Sequence, residues 1–254
     1  MKKTAFILMA ATATVMSCVR FSNGAGNFTG SYMTCNEVVE SAEEASRKGF
    51  SRITVSGACD VHYTQGSKCS VTLRGDTAGI ACMRIECDGR TLKLSQKASY
   101  GKSSGNRNDV DVYITSPVLT AVDISGAADM DMKGRIKVDD FDVDISGAGN
   151  LDIDDMTGSN LDVDVSGAGD LDMGRITFTY AGISLSGASN CSTSSLKGGD
   201  LKLSASGASD ADLDGVDVNN AYCRASGASG IDINGSVKHL EKSASGASSV
   251  NVRH

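Results

Sequence analysis

From Phe50 onward, apolar and polar side chains alternate with a period of two, the spacing of strands that bury one face. Ile53, Val55, Val61 and Tyr63 alternate with polar residues around a first Ser56-Gly57-Ala58. Val71 to Leu73, Met83 to Ser95 and Val110 to Thr115 continue the pattern, and Asp88-Gly89 breaks the middle run as a hairpin turn would. Tyr100 to Asp109 reads as an exposed polar loop, and Pro117, the single proline, follows the last of these runs. Upstream, Asn36 to Lys48 is rich in helix formers and predicts a short surface helix with Asn36 as its cap.

Beyond residue 120 the alternation becomes a repeat. Ser-Gly-Ala recurs at Ser125, Ser146, Ser166, Ser186, Ser206, Ser226 and Ser245, a spacing of 19 to 21 residues. With Ser as origin, the third residue before it is Val122, Val143, Val163, Ile183, Leu203, Cys223 and Lys242. The residue just before it is Ile124, Ile145, Val165, Leu185, Ala205, Ala225 and Ala244. Apolar pairs follow at plus five and plus seven, such as Leu151/Ile153 and Ile231/Ile233, and Met156, Ile176, Leu196 and Val216 stand at plus ten. Nearly everything between is Asp, Asn, Ser, Gly or Lys. A fixed period near 20 with two alternating strands and a shorter third side is the pattern of an all-β solenoid, a parallel β-helix with one coil per repeat. Seven coils at about 4.8 Å each make a rod of roughly 35 Å. The shrinkage from Ile to Ala along one inward column predicts that the bore narrows or repacks toward the C-terminus.

The tripeptide is read as a corner. By parity Gly57, Gly126, Gly147, Gly167, Gly187, Gly207, Gly227 and Gly246 fall at inward places where the chain must turn, and glycine tolerates the positive φ of a tight bend. The residue two places on, again inward, is always small. Ser then faces out, where stacked serines can hydrogen-bond along their column. A nucleophilic serine needs Gly-x-Ser-x-Gly between strand and helix, and eight identical copies cannot all be nucleophiles.

The start of the chain is a targeting segment. Lys2 and Lys3 precede the short apolar run Ala5 to Met16, which ends in Val15-Met16-Ser17-Cys18. That ending resembles a bacterial lipobox: residues 1–17 would be removed as a lipoprotein signal and Cys18 acylated. The loss of two lysines takes the net charge from −7 to −9. Such a balance excludes a basic nucleic-acid footprint and a polybasic hold on membrane, so membrane attachment would come through the N-terminal lipid. Residues 18–49 form a polar tether ending in the helix. Seven further cysteines show no CxxC and no even disulfide framework, so most are expected as small buried hydrophobes.

The outward chemistry is acidic. Asp142 and Asp144 should stack under Asp162 and Asp164, and Asp152 under Asp172, about 4.8 Å apart. Like charges at that spacing repel, and Ca²⁺ would relieve them through hard oxygen ligands, making these six carboxylates candidate metal ligands. The alternative is a solvated acidic face, since the calcium-binding nonapeptide of β-rolls is absent; no cofactor is otherwise implied. A Ca²⁺-dependent polysaccharide lyase or hydrolase is the catalytic alternative, but the even coil spacing leaves no long loops to wall a cleft, and His62, His239 and His254 are scattered. Ridged polar faces with Phe141, Phe178, Tyr180 and Tyr222 fit shallow contacts with a glycan or an envelope protein. A purely structural envelope rod remains the third reading, and the oligomeric state is open.

Phe50 to Gly66, Asp88 to Ser95, Val110 to Met132 and the Ser-Gly-Ala series to Asn251 resemble, in content and in order, the head GIN domain family of Bacteroidetes lipoproteins, often named "putative auto-transporter adhesins". The resemblance implies a right-handed parallel β-helix of the pectate-lyase-like kind over residues 50–254, with an irregular part at 50–120 and regular coils at 121–254. It also implies an outer-membrane lipid anchor, and it brings no catalytic or ligand residues. After Cys18 comes VRFSNG, without the acidic run that marks surface export, so the periplasmic side is slightly favoured. The function expected is a lipid-anchored envelope adhesion scaffold, not an enzyme.

Overall fold

The computed structural model describes residues 35–75, 77–96 and 110–253. The expected signal, Cys18, most of the tether and the 100–109 loop lie outside them. Helix α1 (Cys35–Lys48) is followed by β1 (Arg52–Gly57), β2 (Asp60–Gln65), β3 (Ser70–Arg74), α2 (Thr77–Cys82), β4 (Met83–Asp88), β5 (Thr91–Gln96) and β6 (Asp111–Ser116). The regular part comprises β7 (Ala121–Gly126), β8 (Asp129–Lys137), β9 (Asp140–Gly147), β10 (Asn150–Gly167), β11 (Asp170–Gly187), β12 (Asn190–Gly207), β13 (Asp210–Gly227), β14 (Gly230–Gly246) and β15 (Ser249–Arg253). Each coil pairs in parallel with the next, one repeat apart: Leu151 beside Leu171 beside Cys191, and Ser166 beside Ser186. The fold is a β-solenoid of about seven turns with coils of about 20 residues.

The alternating pattern is the burial pattern. Val122, Val143, Val163, Ile183, Leu203 and Cys223 are buried in one column, and Leu151, Leu171, Cys191, Ala211 and Ile231 in another. A further inward column, five residues before the Ser, holds Phe141, Leu161, Ala181, Leu201 and Ala221. Burial of such side chains, each contributing about 1.5–3 kcal/mol, is what holds a rod together whose coils touch only their neighbours. Among the described residues no buried side-chain polar atom lacks a partner.

The first Ser-Gly-Ala belongs to the same stack. β1 pairs in parallel with β7, Ser56 beside Ser125 and Gly57 beside Gly126, and β2 pairs with β8. Between them the chain doubles back: β5 lies on the other side of β1, and β6 on the other side of β2. Ser56 and Ser95 sit side by side there, so β5 mimics a corner strand with Gln96 in place of glycine. β4 closes the edge by an antiparallel hairpin with β5 around Gly89, as Asp88-Gly89 predicts. Helix α1 begins at Cys35, with Asn36 inside it, and it is no free surface helix: Val38, Ala42 and Ala45 are buried against β3, β4 and α2. Helix α2 has no counterpart in the periodicity.

The corners work differently from the parity argument. Their glycines are solvent-facing rather than inward, and the alternation is interrupted there. A Cβ on Gly126 would lie 2.6 Å from the carbonyl oxygen and 2.9 Å from the nitrogen of Gly57, in the coil beneath. The crowding is along the stack, because each glycine carbonyl accepts the N–H of the following coil's alanine, as in Ala127 to Gly57 (2.9 Å) and Ala148 to Gly126 (2.8 Å). All eight corner glycines have φ between 82° and 123°, which L side chains rarely adopt. The serines do not bond one another. Ser56, Ser125, Ser166, Ser186 and Ser206 each donate to a carbonyl of the neighbouring strand instead, as Ser125 does to Val55 (3.4 Å) and Ser206 to Leu185 (3.3 Å).

The bore repacks rather than narrows. Where the residue before the serine is Ile, the small inward residue of the next coil is glycine. A Cβ on Gly149 would meet Ile124 Cγ2 at 2.6 Å, and one on Gly169 would meet Ile145 Cγ2 at 2.9 Å. Where that residue is Ala, a serine takes the space: Ser229 Oγ donates to Ala205 O and Ser248 Oγ to Ala225 O, both at 3.1 Å. Phe178 likewise stands between Gly158 and Gly198 in the flanking coils, and a Cβ on either would collide with it.

Cysteines follow the same logic. Cys59, Cys191 and Cys223 are buried free thiols, with burial pushing the first two up to about 12 and the third to about 11. Cys69 and Cys87 are free thiols and half-buried, and Cys82, also half-buried, is in no disulfide.

Candidate functional site

In-register stacking turns each outward position into a column. On the strand before the corner, one column runs Arg52, Ala121, Asp142, Asp162, Gly182, Lys202, Tyr222, Glu241. Its neighbour runs Thr54, Asp123, Asp144, Asp164, Ser184, Ser204, Arg224, Ser243. After the corner, the column is His62, Asp131, Asp152, Asp172, Ser192, Asp212, Asp232, Asn251. The six carboxylates read as metal ligands therefore fall on two sides of the coil, Asp142, Asp144, Asp162 and Asp164 before the corner and Asp152 and Asp172 after it. Among the described residues no group of three or more His, Cys, Asp or Glu converges in a way that could hold a metal ion.

Partial burial, then the stacked neighbours, raises the pKa of three of these acids. Asp144 sits between Asp123 and Asp164, Asp152 between Asp131 and Asp172, and Asp162 beside Asp142 and Asp164. Single side chains end each acid run. Thr54 Oγ1 donates to Asp123 at 3.0 Å, His62 Nδ1 contacts Asp131 at 3.1 Å, and Ser192 bonds Asp172. His62 also stacks on Tyr113, with centroids 4.8 Å apart, under Arg74 at 4.4 Å from the Tyr113 ring.

Elsewhere the repeat neutralises itself. Asn150 donates to Asp129 (2.8 Å), Asn160 to Asp140 (2.6 Å), Asn190 to Asp170 (2.8 Å) and Asn234 to Asp214 (2.7 Å), each across one coil. Asp155, with its side chain 13 % exposed, is gripped from both sides by Arg135 (3.4 Å) and Arg175 (3.1 Å). These alternations of Asp with Asn are legible in the sequence at a spacing of about 20 residues.

The late coils build something else from the same columns. Lys202 and Ser204 of β12, Tyr222 and Arg224 of β13, and Glu241, Lys242 and Ser243 of β14 line an open cleft of about 340 Å³, floored by Cys223. Tyr222 is 44 % exposed. Lys242 occupies the column that holds Val, Ile, Leu or Cys in earlier coils, and its Nζ donates to the Val250 carbonyl at 3.1 Å. Of the aromatics expected on the faces, only Tyr222 is well exposed: Phe141 and Phe178 are buried, and Tyr180 is half-buried. The signal that would have found the cleft is the switch, at fixed repeat positions, from Asp/Asp through Gly182/Ser184 to Lys/Ser and Tyr/Arg.

Among the described residues no helix is long and apolar enough to cross a membrane. The stack, its corners and its open polar faces define a β-solenoid domain. Residues 49–176 and 175–254 match the family described as "Putative auto-transporter adhesin, head GIN domain", and the chain belongs to that family. Its fold is similar to the crystal structure of a "putative adhesin" from Bacteroides fragilis NCTC 9343, at 23% identity and a TM-score of 0.71 over 80% of this chain and 92% of that one. It is similar also to a "putative lipid binding protein" from Parabacteroides distasonis ATCC 8503 (19% identity, TM-score 0.67, 80% and 92% covered). A "putative adhesin" from Parabacteroides merdae ATCC 43184 has the same fold (18% identity, TM-score 0.66, 80% and 92% covered). No curated protein matches the chain.

Proposed function

We propose that the protein is an adhesion module of the cell envelope. It is tethered to the outer membrane by lipid on Cys18, on the periplasmic side by the sequence after that cysteine, and it presents a solenoid face to a glycan or an envelope protein. One observation carries the reading: the outward columns form continuous open faces, and the one cleft described above is shallow and lined by cations, hydroxyls and an exposed tyrosine ring. Such a surface suits reversible polar contact.

Glycan arrays and envelope pull-downs with the soluble form lacking residues 1–18 test the role. Selective capture of a glycan or of one envelope protein is the expected result, and a surface that captures neither on any array or extract leaves only a structural rod. Lipidation is tested separately. Cys18→Ala should release the protein from the membrane fraction, and continued membrane retention of that variant would remove the anchor from the proposal.

A further inference from the structure

We infer that the cleft over β12, β13 and β14 binds an acidic saccharide, one whose sugar rings carry carboxylates; this rests on the adhesion role proposed above and names its ligand class. The first ground is charge. Lys202 and Arg224 stand on the outward face of the cleft, Lys242 lines it from the inward column of β14, and Glu241 is the one acid of the lining. Several cations of the earlier coils and of the last strand are paired internally: Arg135 and Arg175 hold Asp155, Arg253 holds Asp232, and Lys133 lies between Asp131 and Asp154. Among the described residues no ion pair occupies the three cations of the cleft. A planar guanidinium beside two ammonium groups matches carboxylate oxygens, which Arg224 can engage in a bidentate fork.

The second ground is the rest of the lining. Tyr222 presents a ring 44 % exposed on which a sugar face can lie, and Ser204 and Ser243 supply hydroxyls to exchange hydrogen bonds with ring hydroxyls. Lys242 is already positioned by the Val250 carbonyl, so little freedom is lost when a ligand meets it. The volume of about 340 Å³ falls near the lower end of the range for ligand pockets, roughly 300–1,000 Å³, and suits a short stretch of saccharide.

The third ground is what surrounds the cleft. The acidic Asp142, Asp144, Asp162 and Asp164 lie on the same face, but the nearest pair is two coils from Lys202 and Ser204. Two coils are roughly 10 Å, about one Debye length at 0.1 M salt, so the acids act on the cleft only weakly, Lys202 being the cleft cation that Asp162 feels. The acidic columns would repel a long polyanion such as nucleic acid laid along the rod, whereas a carboxylated sugar chain crossing it at β12–β14 meets three cations and a single acid, Glu241.

Calorimetric titration of the full chain with oligogalacturonate and with its neutral methyl ester tests the inference, since the two probes differ only in charge. The acid should bind, and the ester should bind roughly ten-fold or more weakly. Arg224→Gln and Lys202→Gln should each weaken the acid by roughly ten-fold, with affinity falling as salt rises, while Tyr222→Ala should weaken both probes. Asp172→Asn, on the other strand, should change nothing. Equal binding of acid and ester, failure of the acid to bind, or unchanged affinity in the Arg224 and Lys202 variants overturns the inference. So does acid binding that EDTA abolishes, which would assign it to calcium bridged by the aspartate columns. Array hits confined to neutral glycans would end this inference and leave the adhesion role standing; no capture of any glycan or envelope protein would end both.

Discussion

The early coils, β7 to β10, and the late coils, β12 to β14, share one backbone and fill it by opposite rules. The early strands β7 and β9 place Ile before the corner serine and glycine in the following coil's small inward position; β12 and β13 place Ala and serine there. Early outward columns are stacked aspartates, and late ones are Lys, Tyr and Arg. The early end is closed by β4, β5, α1 and α2, whereas β15 covers β14 only from Gly230 to Asn234, and residues 238–247 are exposed. That bare edge carries Lys242 in an inward column, where a charge discourages another strand from adding. A solenoid thus separates two specifications. Corner glycines and register fix the coil, while the inward volume and the outward charge vary as long as each is balanced one coil away.

The largest test strikes what the two halves share. Gly167→Val should lower stability by about 3 kcal/mol or more, because it combines a disallowed φ of 114° with a clash against the Gly147 backbone. Gly207→Val should do the same damage in the late coils, and chemical denaturation of the pair checks it. Gly89→Ala, with a φ of 62° but nothing within 4 Å, should lose only about 1 kcal/mol. If Gly167→Val proves no worse than Gly89→Ala, crowding along the stack is not what selects glycine.

The next test converts one half into the other. Gly149→Ser alone should destabilise by about 1–3 kcal/mol, since its Cβ meets Ile124. Combined with Ile124→Ala it recreates the late-coil pair, and the double variant should be more stable than the two losses summed by about 1 kcal/mol. Strict additivity in the denaturation midpoints would show that the two positions do not share space. At the bare edge, Lys242→Leu should raise the apparent mass in light scattering as concentration increases, without lowering the melting temperature. An unchanged monodisperse mass would mean that the inward lysine protects nothing.

The smallest effect is electrostatic. Asp144, Asp152 and Asp162 have folded pKa values raised above the ordinary 3.8, so the folded state binds protons more readily than the unfolded one. Their contribution therefore improves as pH falls through the raised values toward 3.8 and is lost as pH rises through them. The acids are largely solvated, so the gain on acidification is a few tenths of a kcal/mol. The triple Asp→Asn variant should flatten it in melts taken across that window, and a wild-type curve that already lacks the gain would dismiss the repulsion. Because the acids pair rather than converge, millimolar Ca²⁺ against EDTA should leave the melting temperature where it was.

The coil was legible because burial and backbone speak through the same period: Val122 to Cys223 could be aligned by eye and are buried as aligned. The interval from Ser56 to Ser125 was not, since a stack built out of chain order leaves no constant spacing. β5 and β6 come after β1 and β2 in sequence but lie beyond them in space. Parity misplaced the corner glycines because alternation holds only within strands and the bend interrupts it. The cleft escaped because its residues differ from coil to coil, and a repeat is recognised by what stays the same.

In-register pairing at 20 residues has a consequence for how such a chain can change. Removing residues 170–189, one whole coil, would leave every remaining side chain on its own face and slide Lys202, Tyr222 and Arg224 about 5 Å toward Asp162 and Asp164. Removing an odd number within a strand would turn its remaining side chains inside out unless a bulge absorbs the change, as between Leu213 and Val216. A whole coil is the step that needs no such repair, and each such step resets the distance between the acidic and basic stations.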